Sequence, residues 1–444
     1  MKIIIAGAGE VGVHLAQLLS QENLDIILID TDEDRLSFPY STEIMTIVGN
    51  PTSIADLKQA GIKNADIFIA VTPEESVNMT ACMLATNLGA EKTIARINND
   101  EYLLSDNRAF FERLGVDSII CPETLAAKEI VSSLKKPWSR QWWELAEGKL
   151  ILTGAKVREN APIVDKYLYD LSRDEKKYHI VAIKRDKETI IPQGSDRIKA
   201  DDILYFTTLP EYVDSIKQLS GKADIEINKV FIMGGSRITI KVAESLPHHI
   251  RIKILEKNRE KSYKLAETVG SNVMIINADG SNADSLIREN IENCDAFIAL
   301  TENSETNILA CLAAKNLGVP KTVAEVENID YIQMAEKLNI GTVINKKLIS
   351  ASHIYQFLLN ADVSTVKCMT FANAEVAELV ARPNSKITRK PVKNLNLPKD
   401  MTLGGTIRDG KAYMISGETL IQPGDHVVVF CLNTAMRKIE DYFN

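Results

Sequence analysis

With 444 residues the chain is too long for a single compact core, and its 45% hydrophobic and 25% charged residues are ordinary for a globular protein. No apolar run reaches the roughly 18–20 residues of a membrane-spanning helix, and a strand rather than a signal peptide opens the sequence, so we expect a cytoplasmic protein. The net charge of −8, without a basic stripe, argues against nucleic acid as a partner. The six cysteines form no Cys-x-x-Cys pair, which argues against a disulfide framework and a zinc site.

Strand and helix patterns alternate along the first 134 residues. KIIIA precedes VGVHLAQLLS, DIILID precedes DEDRLSF, DIFIAVT precedes SVNMTACMLATNL, and TIARI precedes LLSDNRAFFERL. This alternation indicates a parallel sheet with helices on both faces. Continuous apolar strands such as IFIAV fit a sheet that is buried on both sides. We therefore predict an α/β domain over residues 1–134.

The first strand runs into the turn GAGEVG, in which Gly7, Gly9 and Gly12 match the pattern Gly-x-Gly-x-x-Gly. The pattern follows a strand and opens an amphipathic helix, which is the context of a dinucleotide-binding turn. Gly7 permits the tight turn, Gly9 leaves room for a pyrophosphate against bare backbone, and Gly12 lets the helix pack close to the strand. The helix N-terminus presents free N–H groups to the phosphates. We predict a nucleotide site here; the alternative is a glycine-rich turn without a ligand.

The second strand, DIILID, ends in Asp30, 18 residues beyond Gly12. A carboxylate at this place accepts hydrogen bonds from the hydroxyls of an adenosine ribose and repels a 2′-phosphate, so we predict NAD(H) rather than NADP(H). Later strands end at the same edge of the sheet, outside which ligands of open α/β sheets bind. The further candidates at these strand ends are Gly49, Asn50, Thr72, Pro73 and Arg96.

Arg96 has two interpretations. Its guanidinium could meet a phosphate with a planar fork of donors, or it could form a surface salt bridge. The sequence leaves both open.

The segment KKPWSRQWWELAEG, from Lys135 to Gly148, contains a proline and three tryptophans and predicts a connector with a packing patch. Its tryptophans are expected in a core or a subunit interface. The short strand patterns ILTGAKV, HIVAIKR, TIIPQG and DILYFTT follow it and indicate a small α+β domain. Connector and small domain together are expected over residues 135–221.

The second half of the chain repeats the first. NADIFIAVTPEESVNMTACMLATNLGAEKTIARINNDEY aligns without gaps with NCDAFIALTENSETNILACLAAKNLGVPKTVAEVENIDY, at an offset of 229 residues from Asn64 to Asn293. The ending MISGETLIQPGDHVVVFCL likewise resembles IIPQGSDRIKADDILYFTT. We predict a tandem duplication, with a second α/β domain over residues 228–360 and a second small domain over residues 361–444.

The second copy of the glycine-rich turn has changed. Gly234 matches the first glycine, whereas Ser236 and Thr239 replace the second and third. Ser236 adds a Cβ where a pyrophosphate presses on the backbone, and Thr239 adds bulk between helix and strand. Glu256 stands at the place of Asp30, so ribose binding through Gly234 and Glu256 stays possible.

Two further changes in the second half act in opposite directions. Arg96 is matched by Glu325, which would repel a phosphate, whereas Arg237 enters the turn and could restore positive charge. The sequence leaves open whether the second half binds a ligand.

Catalytic groups are missing from the sequence pattern. A dehydrogenase needs a proton donor or acceptor beside the nicotinamide, and none of the six histidines is a candidate for that role. No Ser/His/Asp set and no His-Glu-x-x-His motif is present. A duplicated nucleotide pocket without catalytic partners indicates a sensor rather than an enzyme. An NAD-dependent oxidoreductase is the alternative.

The turn GAGEVG, Asp30, the stretch NADIFIAVTPEESVNMTACMLATNLGAEKTIARI, the PQG…ADDILYF ending and the full-length duplication together resemble one family. It is the family of regulatory subunits of bacterial Trk potassium-uptake systems, which are built from domains that regulate potassium conductance (RCK domains). The resemblance covers essentially the whole chain. A single-domain regulator of another potassium transporter or antiporter is a second alternative, and the tandem length argues against it.

The resemblance implies an α/β fold of two tandem RCK units, each with a Rossmann-like parallel-sheet N-domain and a small α+β C-domain. It further implies a cytoplasmic protein, peripheral on the inner face of the cell membrane, that assembles into a ring of RCK domains. This ring would gate potassium transport by a membrane-embedded, TrkH-type subunit in response to NAD(H), and to ATP or ADP. The nucleotide contacts that the family implies by position are Gly7, Ala8, Gly9, Glu10, Val11, Asp30, Thr72, Pro73 and Arg96.

Overall fold

The computed structural model of the protein describes residues 1–20, 24–37, 44–171, 177–186, 188–223, 225–358, 363–368, 374–432 and 436–443. The expected boundary between residues 360 and 361 lies outside the described residues. The described chain forms two six-stranded parallel sheets and two five-stranded antiparallel sheets.

The first parallel sheet has the strand order β3-β2-β1-β4-β5-β6, and this order reverses direction between β1 and β4. Its strands are short runs of isoleucine and alanine, and β1 is buried along Ile3–Ala6. The elements of the domain are β1 (Lys2–Ala6), α1 (Glu10–Ser20), β2 (Asp25–Asp30), α2 (Glu33–Leu36), β3 (Ile44–Val48), α3 (Ile54–Gln59), β4 (Ile67–Ala70), α4 (Glu75–Leu88), β5 (Lys92–Arg96), α5 (Ser105–Arg113), β6 (Ser118–Ile120) and α6 (Pro122–Lys135).

The first small sheet is antiparallel, with the order β10-β9-β11-β8-β7. The expected connector is partly wrong, because its first residue ends α6 and Gln141–Leu145 form the edge strand β7. Trp142 packs with Trp138 in the core of this domain. The elements are β7 (Gln141–Leu145), β8 (Leu150–Lys156), α7 (Leu168–Leu171), β9 (Tyr178–Arg185), β10 (Glu188–Ile190), β11 (Ile203–Thr208) and α8 (Val213–Leu219).

The second parallel sheet repeats the first, with the order β14-β13-β12-β15-β16-β17. Each of its six strands stands at the place of its counterpart in the first sheet, so the duplication extends to topology. The elements are β12 (Lys229–Met233), α9 (Arg237–Ser245), β13 (Arg251–Leu255), α10 (Arg259–Thr268), β14 (Val273–Ile276), α11 (Ala283–Arg288), β15 (Ala296–Ala299), α12 (Ser304–Asn316), β16 (Lys321–Glu325), α13 (Ile329–Lys337), β17 (Thr342–Ile344) and α14 (Lys346–Leu358).

The second small sheet has the order β18-β19-β22-β20-β21 and is also antiparallel. Both small domains contain the same bidentate ion pair, Arg185 with Asp202 at 2.7–2.8 Å and Arg408 with Asp425 at 2.6–2.8 Å. Its elements are β18 (Val363–Cys368), β19 (Ala374–Val380), β20 (Met401–Arg408), β21 (Lys411–Tyr413), β22 (His426–Leu432) and α15 (Met436–Phe443).

The chain divides into two compact units. One contains Met1–Leu125 with Lys346–Ile354, and the other contains Ala126–Asn345 with Tyr355–Asn444. The start of α14 therefore belongs to the same unit as the first parallel sheet, although it follows the second sheet in sequence. The predicted fold class, two Rossmann-like domains each followed by a small α+β domain, is confirmed.

Candidate functional site

The glycine-rich turn lies at the point where the strand order of the first sheet reverses, between β1 and β4. Open α/β sheets bind ligands at such points, outside the carboxyl ends of the strands. Gly7 has a φ of +109°, and a Cβ there would lie 3.0 Å from the backbone nitrogen of Thr72. The tight turn therefore requires glycine at this position.

Gly12 is tightly packed, whereas Gly9 has free space around it. A Cβ on Gly12 would overlap the carbonyl oxygen of Gly7, so a side chain would push α1 away from the end of β1. Around Gly9, no heavy atom of the described residues lies within 4 Å of the place where a Cβ would stand. Packing inside the protein thus requires Gly12, whereas Gly9 is bare toward open space. A phosphate group could reach the N-terminus of α1 there without meeting a side chain at position 9.

Asp30 is buried, with 7% of its surface exposed, and it holds the turn through hydrogen bonds. Its Oδ2 accepts from the backbone N–H of Ala8 at 2.6 Å, and its Oδ1 accepts from the N–H of Asp32 at 2.9 Å. The carboxylate therefore lies beside the turn, where the sequence predicts the ribose contact. Each oxygen retains a lone pair with which a hydroxyl could bond.

Asn78, to which the sequence patterns assign no role, joins the ends of two neighbouring strands. Its Oδ1 accepts from both the N–H and the hydroxyl of Thr72 at 2.9 and 2.7 Å, and its Nδ2 donates to the carbonyl oxygens of Thr72 and Arg96, both at 2.9 Å. In the second half Asn307 bonds to Thr301 and Glu325 in the same way. The identity of Asn78 and Asn307 in the repeat is the signal that could have found this positioning residue.

Arg96 ends β5 and forms a salt bridge with Glu123 at the start of α6, with 3.5 Å between Nη2 and Oε1. The guanidinium is mostly buried, with 23% of its side chain exposed. Of the two predicted roles of Arg96, the salt bridge is therefore present in the structure. The phosphate interpretation stays a prediction, because a ligand would have to compete with Glu123 for the guanidinium.

A cation from the second half of the sequence lies beside the turn. The Nζ of Lys347, near the start of α14, is 3.5 Å from Oε2 of Glu10, and its side chain is only 13% exposed. Burial, and then the charge of Lys347, lower the pKa of His14 to about 4, so this histidine of α1 is neutral at physiological pH. Lys347 was missed by the sequence analysis, since it is distant from the turn along the chain.

The remaining predicted residues surround the same sheet edge in different ways. The N–H of Gly49 donates to the carbonyl of Asp30 at 2.9 Å, and Asn50 accepts from Thr52 at 2.8–2.9 Å. Pro73 is exposed at the end of β4, and Val11 is half-buried in the first turn of α1. Gly49 and Asn50 thus follow β3, and Pro73 follows β4, at the carboxyl ends of these strands.

At the second turn, side chains of the same protein bond to the turn and to the helix end. Gly234 keeps the φ of its counterpart, at +96°. The hydroxyl of Thr239 donates to the carbonyl oxygen of Gly234 at 2.6 Å. This carbonyl is the counterpart of the Gly7 carbonyl, which excludes a side chain at Gly12 in the first half. Ser236 accepts from the N–H of Thr239 at 3.3 Å and caps α9. The helix N-terminus is thus satisfied from within the chain.

Glu256 repeats the role of Asp30. Its Oε2 accepts from the N–H of Gly235 at 2.7 Å and its Oε1 from that of Asn258 at 2.8 Å. Glu325 is buried at the end of β16, with 4% exposed, whereas Arg237 is exposed. This strand therefore ends in an acidic residue, where the first half has Arg96.

Within the described ranges, no group of three or more metal-ligating side chains comes together. Among the same residues, no helix has the length and apolar character needed to cross a membrane.

Two copies of a parallel-sheet domain, each followed by a small antiparallel domain, define a tandem protein of the nucleotide-binding Rossmann-like class. The sequence matches the TrkA-N domain over residues 3–122 and 230–346, and the TrkA-C domain over residues 152–221 and 376–444. The chain therefore belongs to the TrkA family of potassium-uptake proteins.

Relatives of similar length support this assignment. The chain is 29% identical over 454 residues to Trk system potassium uptake protein TrkA homolog 1 of Methanosarcina mazei, with both chains covered completely. It is 31% identical over 448 residues to the TrkA protein of Halomonas elongata, covering 99% of this chain and 97% of the relative. The fold resembles that of the GsuK channel bound to NAD, with a TM-score of 0.61, 14% identity, and coverage of 100% of this chain and 78% of the other.

We predict that Gly12→Ala lowers stability and Gly9→Ala does not. The added methyl at position 12 overlaps the Gly7 carbonyl, which should cost about 3 kcal/mol in the free energy of unfolding. The same methyl at position 9 meets open space. Thermal unfolding of the two variants beside the unchanged protein measures this difference, and equal melting temperatures for both variants would contradict the packing described for Gly12.

Proposed function

We propose that the protein is the nucleotide-sensing regulatory subunit of a Trk-type potassium-uptake system and that it is not an enzyme. The observation that carries the proposal is the turn Gly7–Gly12, whose packing demands glycine at two positions while leaving Gly9 bare. The names of the relatives supply the potassium-uptake context.

NAD(H) is the proposed ligand of the first half, with ATP or ADP as additional ligands. The turn residues Gly7, Ala8, Gly9, Glu10, Val11 and Gly12 would receive the phosphates at the N-terminus of α1. Asp30 would accept the ribose hydroxyls, and Gly49, Asn50, Thr72, Pro73 and Arg96 would border the rest of the ligand. The NAD-bound state of a structural neighbour supports this choice of ligand.

Lys347 would take part as well. Its ammonium group lies beside Glu10 at the first position of α1, so it would add positive charge to the helix end that faces the phosphates. This arrangement makes a nucleotide in the first domain sensitive to the position of α14. A helix that follows the second sheet could then report the state of the first turn.

The second half is proposed as a structural partner with weak or no dinucleotide binding. Gly234 and Glu256 keep the places of two predicted contacts, but Ser236 and Thr239 satisfy the helix end and the turn carbonyl internally. The proposed division of the chain into modules is 1–134, 135–221, 228–360 and 361–444.

The proposed partner is a membrane-embedded potassium-translocating subunit of the TrkH type, contacted from the cytoplasmic side by a homo-oligomeric ring of these domains. The mechanism is a population shift, in which a ligand biases the gate only through its differential affinity for two ring conformations. A 100-fold difference in affinity corresponds to about 2.7 kcal/mol. Nucleotide binding at the first turn would supply this difference.

The test of the proposed function is potassium flux into liposomes that contain the membrane partner. We expect the protein to change the flux, and NADH or ATP to change it further, because the ligand selects one conformation of the ring. Flux that is the same without the protein, with it, and with added nucleotide would contradict the proposal. Turnover of NADH with any of a panel of substrates would instead support the oxidoreductase alternative.

A reciprocal exchange tests the binding site. Gly9→Ser gives the first turn the residue of the second, and we expect it to weaken NADH binding by about tenfold or more, because its side chain stands where the phosphate approaches. Ser236→Gly is the matched control and should leave this affinity unchanged. Isothermal titration calorimetry measures both, and full NADH affinity in Gly9→Ser would refute the assignment of the first site.

A further inference from the structure

A cationic cavity lies inside the unit that contains residues 126–345, away from both glycine-rich turns. Its volume is about 480 Å³, and residues of both the first small domain and the second parallel-sheet domain line it. Six basic side chains line it, against two acidic ones, Glu159 and Asp201. The basic residues are Arg140, Lys156, Arg158, Lys222, Lys315 and Lys321.

The deepest of these cations are almost fully removed from solvent. Lys321 is 4% exposed, and its Nζ donates to the carbonyl oxygen of Ser139 and the hydroxyl of Thr342, both at 2.9 Å. Arg140 is 7% exposed and donates through Nη2 to the side-chain oxygen of Asn339. Lys321 is thus held by neutral partners, whereas the charge of Glu336 also acts on Arg140.

The cluster is electrostatically strained. Burial, and then the charges of Arg140 and Lys222, lower the pKa of Lys321 to about 7. Burial and four neighbouring cations lower the pKa of Lys222 to about 8, and burial also lowers that of Lys315, with Arg140 and Lys156 adding to the effect. Like charges have thus been brought together at a cost that a bound anion would remove.

The two acidic residues at the cavity do not neutralise its interior. Asp201 is mostly exposed, with 71% of its side chain accessible, and it pairs with Lys156 at 2.8 Å. Glu159 is exposed as well. These two acids therefore lie toward the solvent, whereas Arg140 and Lys321 are buried.

The corresponding positions of the first parallel-sheet domain carry different side chains. Thr86 stands where the second half has Lys315, and both side chains donate to a carbonyl oxygen of the same turn, that of Gly115 and of Asn339 respectively. The first half also has an acid there, Asp117, which accepts from the N–H of Thr93 at 2.7 Å. These positions of the first half therefore lack the cation of Lys315 and carry an acid instead.

We propose that this cavity binds a small phosphorylated molecule that carries two or more negative charges. Charged phosphate oxygens are the acceptors that clustered lysine and arginine side chains bind most strongly. The volume lies in the range of small-molecule sites, about 300–1,000 Å³, and exceeds the size of a single inorganic phosphate. Trp138 and Pro320 add apolar surface to its wall, against which an organic part of the ligand would pack.

The site would couple two modules. Arg140, Lys156 and Lys222 come from the connector and the first small domain, whereas Lys315 and Lys321 come from the second parallel-sheet domain. An anion that contacts both groups stabilises their contact, since it removes the repulsion between them. The cavity would thus be a second ligand input, separate from the glycine-rich turn.

The test is calorimetric titration of the full chain with inorganic phosphate, pyrophosphate and ATP. We expect pyrophosphate and ATP to bind more tightly than phosphate, and Lys321→Gln and Lys315→Thr each to weaken pyrophosphate binding about tenfold or more. Lys92→Gln, the exposed counterpart of Lys321 in the first half, is the matched control and should leave pyrophosphate binding unchanged. Gly9→Ser should also leave it unchanged, which separates this cavity from the turn.

Melting temperatures of the unliganded variants show whether each variant is folded. If Lys321→Gln does not fold, Lys315→Thr provides the test, because Lys315 is only half-buried. Either of two results would overturn the proposal: no saturable binding of pyrophosphate, or pyrophosphate binding that the lysine substitutions leave intact.

Discussion

The close approach of α1 to the carbonyl oxygen of Gly7 is the constraint on which the rest of the first site depends. It forces glycine at position 12, keeps the helix N-terminus at the end of β1, and leaves Gly9 bare at the point where the sheet order reverses. Asp30 completes the arrangement by accepting the N–H of Ala8. In the second half the hydroxyl of Thr239 donates to the corresponding carbonyl, so a hydrogen bond within the chain holds that turn.

The two repeats therefore share the hydrogen bonds that hold the sheet and differ in the charged residues at its edge and in the side chains at the turn. Asn78 and Asn307 tie the strand ends identically, and each small domain keeps its buried arginine–aspartate pair. At the ends of β5 and β16, by contrast, Arg96 is matched by Glu325. The second residue of the last helix in each parallel-sheet domain also reverses sign, from Glu123 in α6 to Lys347 in α14. The asparagines that tie the strand ends are the same in both halves, whereas Gly9, Gly12 and Arg96 are replaced by Ser236, Thr239 and Glu325.

Sequence patterns predicted the fold well, because strand periodicity, the glycine spacing and the duplication are local or repeated signals. They failed for the connector, where the tryptophan-rich segment contains the edge strand β7, since an apolar edge strand has no distinctive local pattern. For the site, the turn and Asp30 could be predicted from spacing. Lys347 could not, because its position beside Glu10 depends on which unit α14 joins. The cationic cavity was also invisible, since its residues are scattered along the chain.

The central claim is that one half of the chain binds nucleotide and the other half supports it. The most direct measurement is the number of NADH molecules bound per chain at saturation, by equilibrium dialysis on the unchanged protein and on Gly9→Ser. The account predicts one NADH per chain, and loss of that one in the variant. Two NADH per chain, or one that survives in Gly9→Ser, would contradict it.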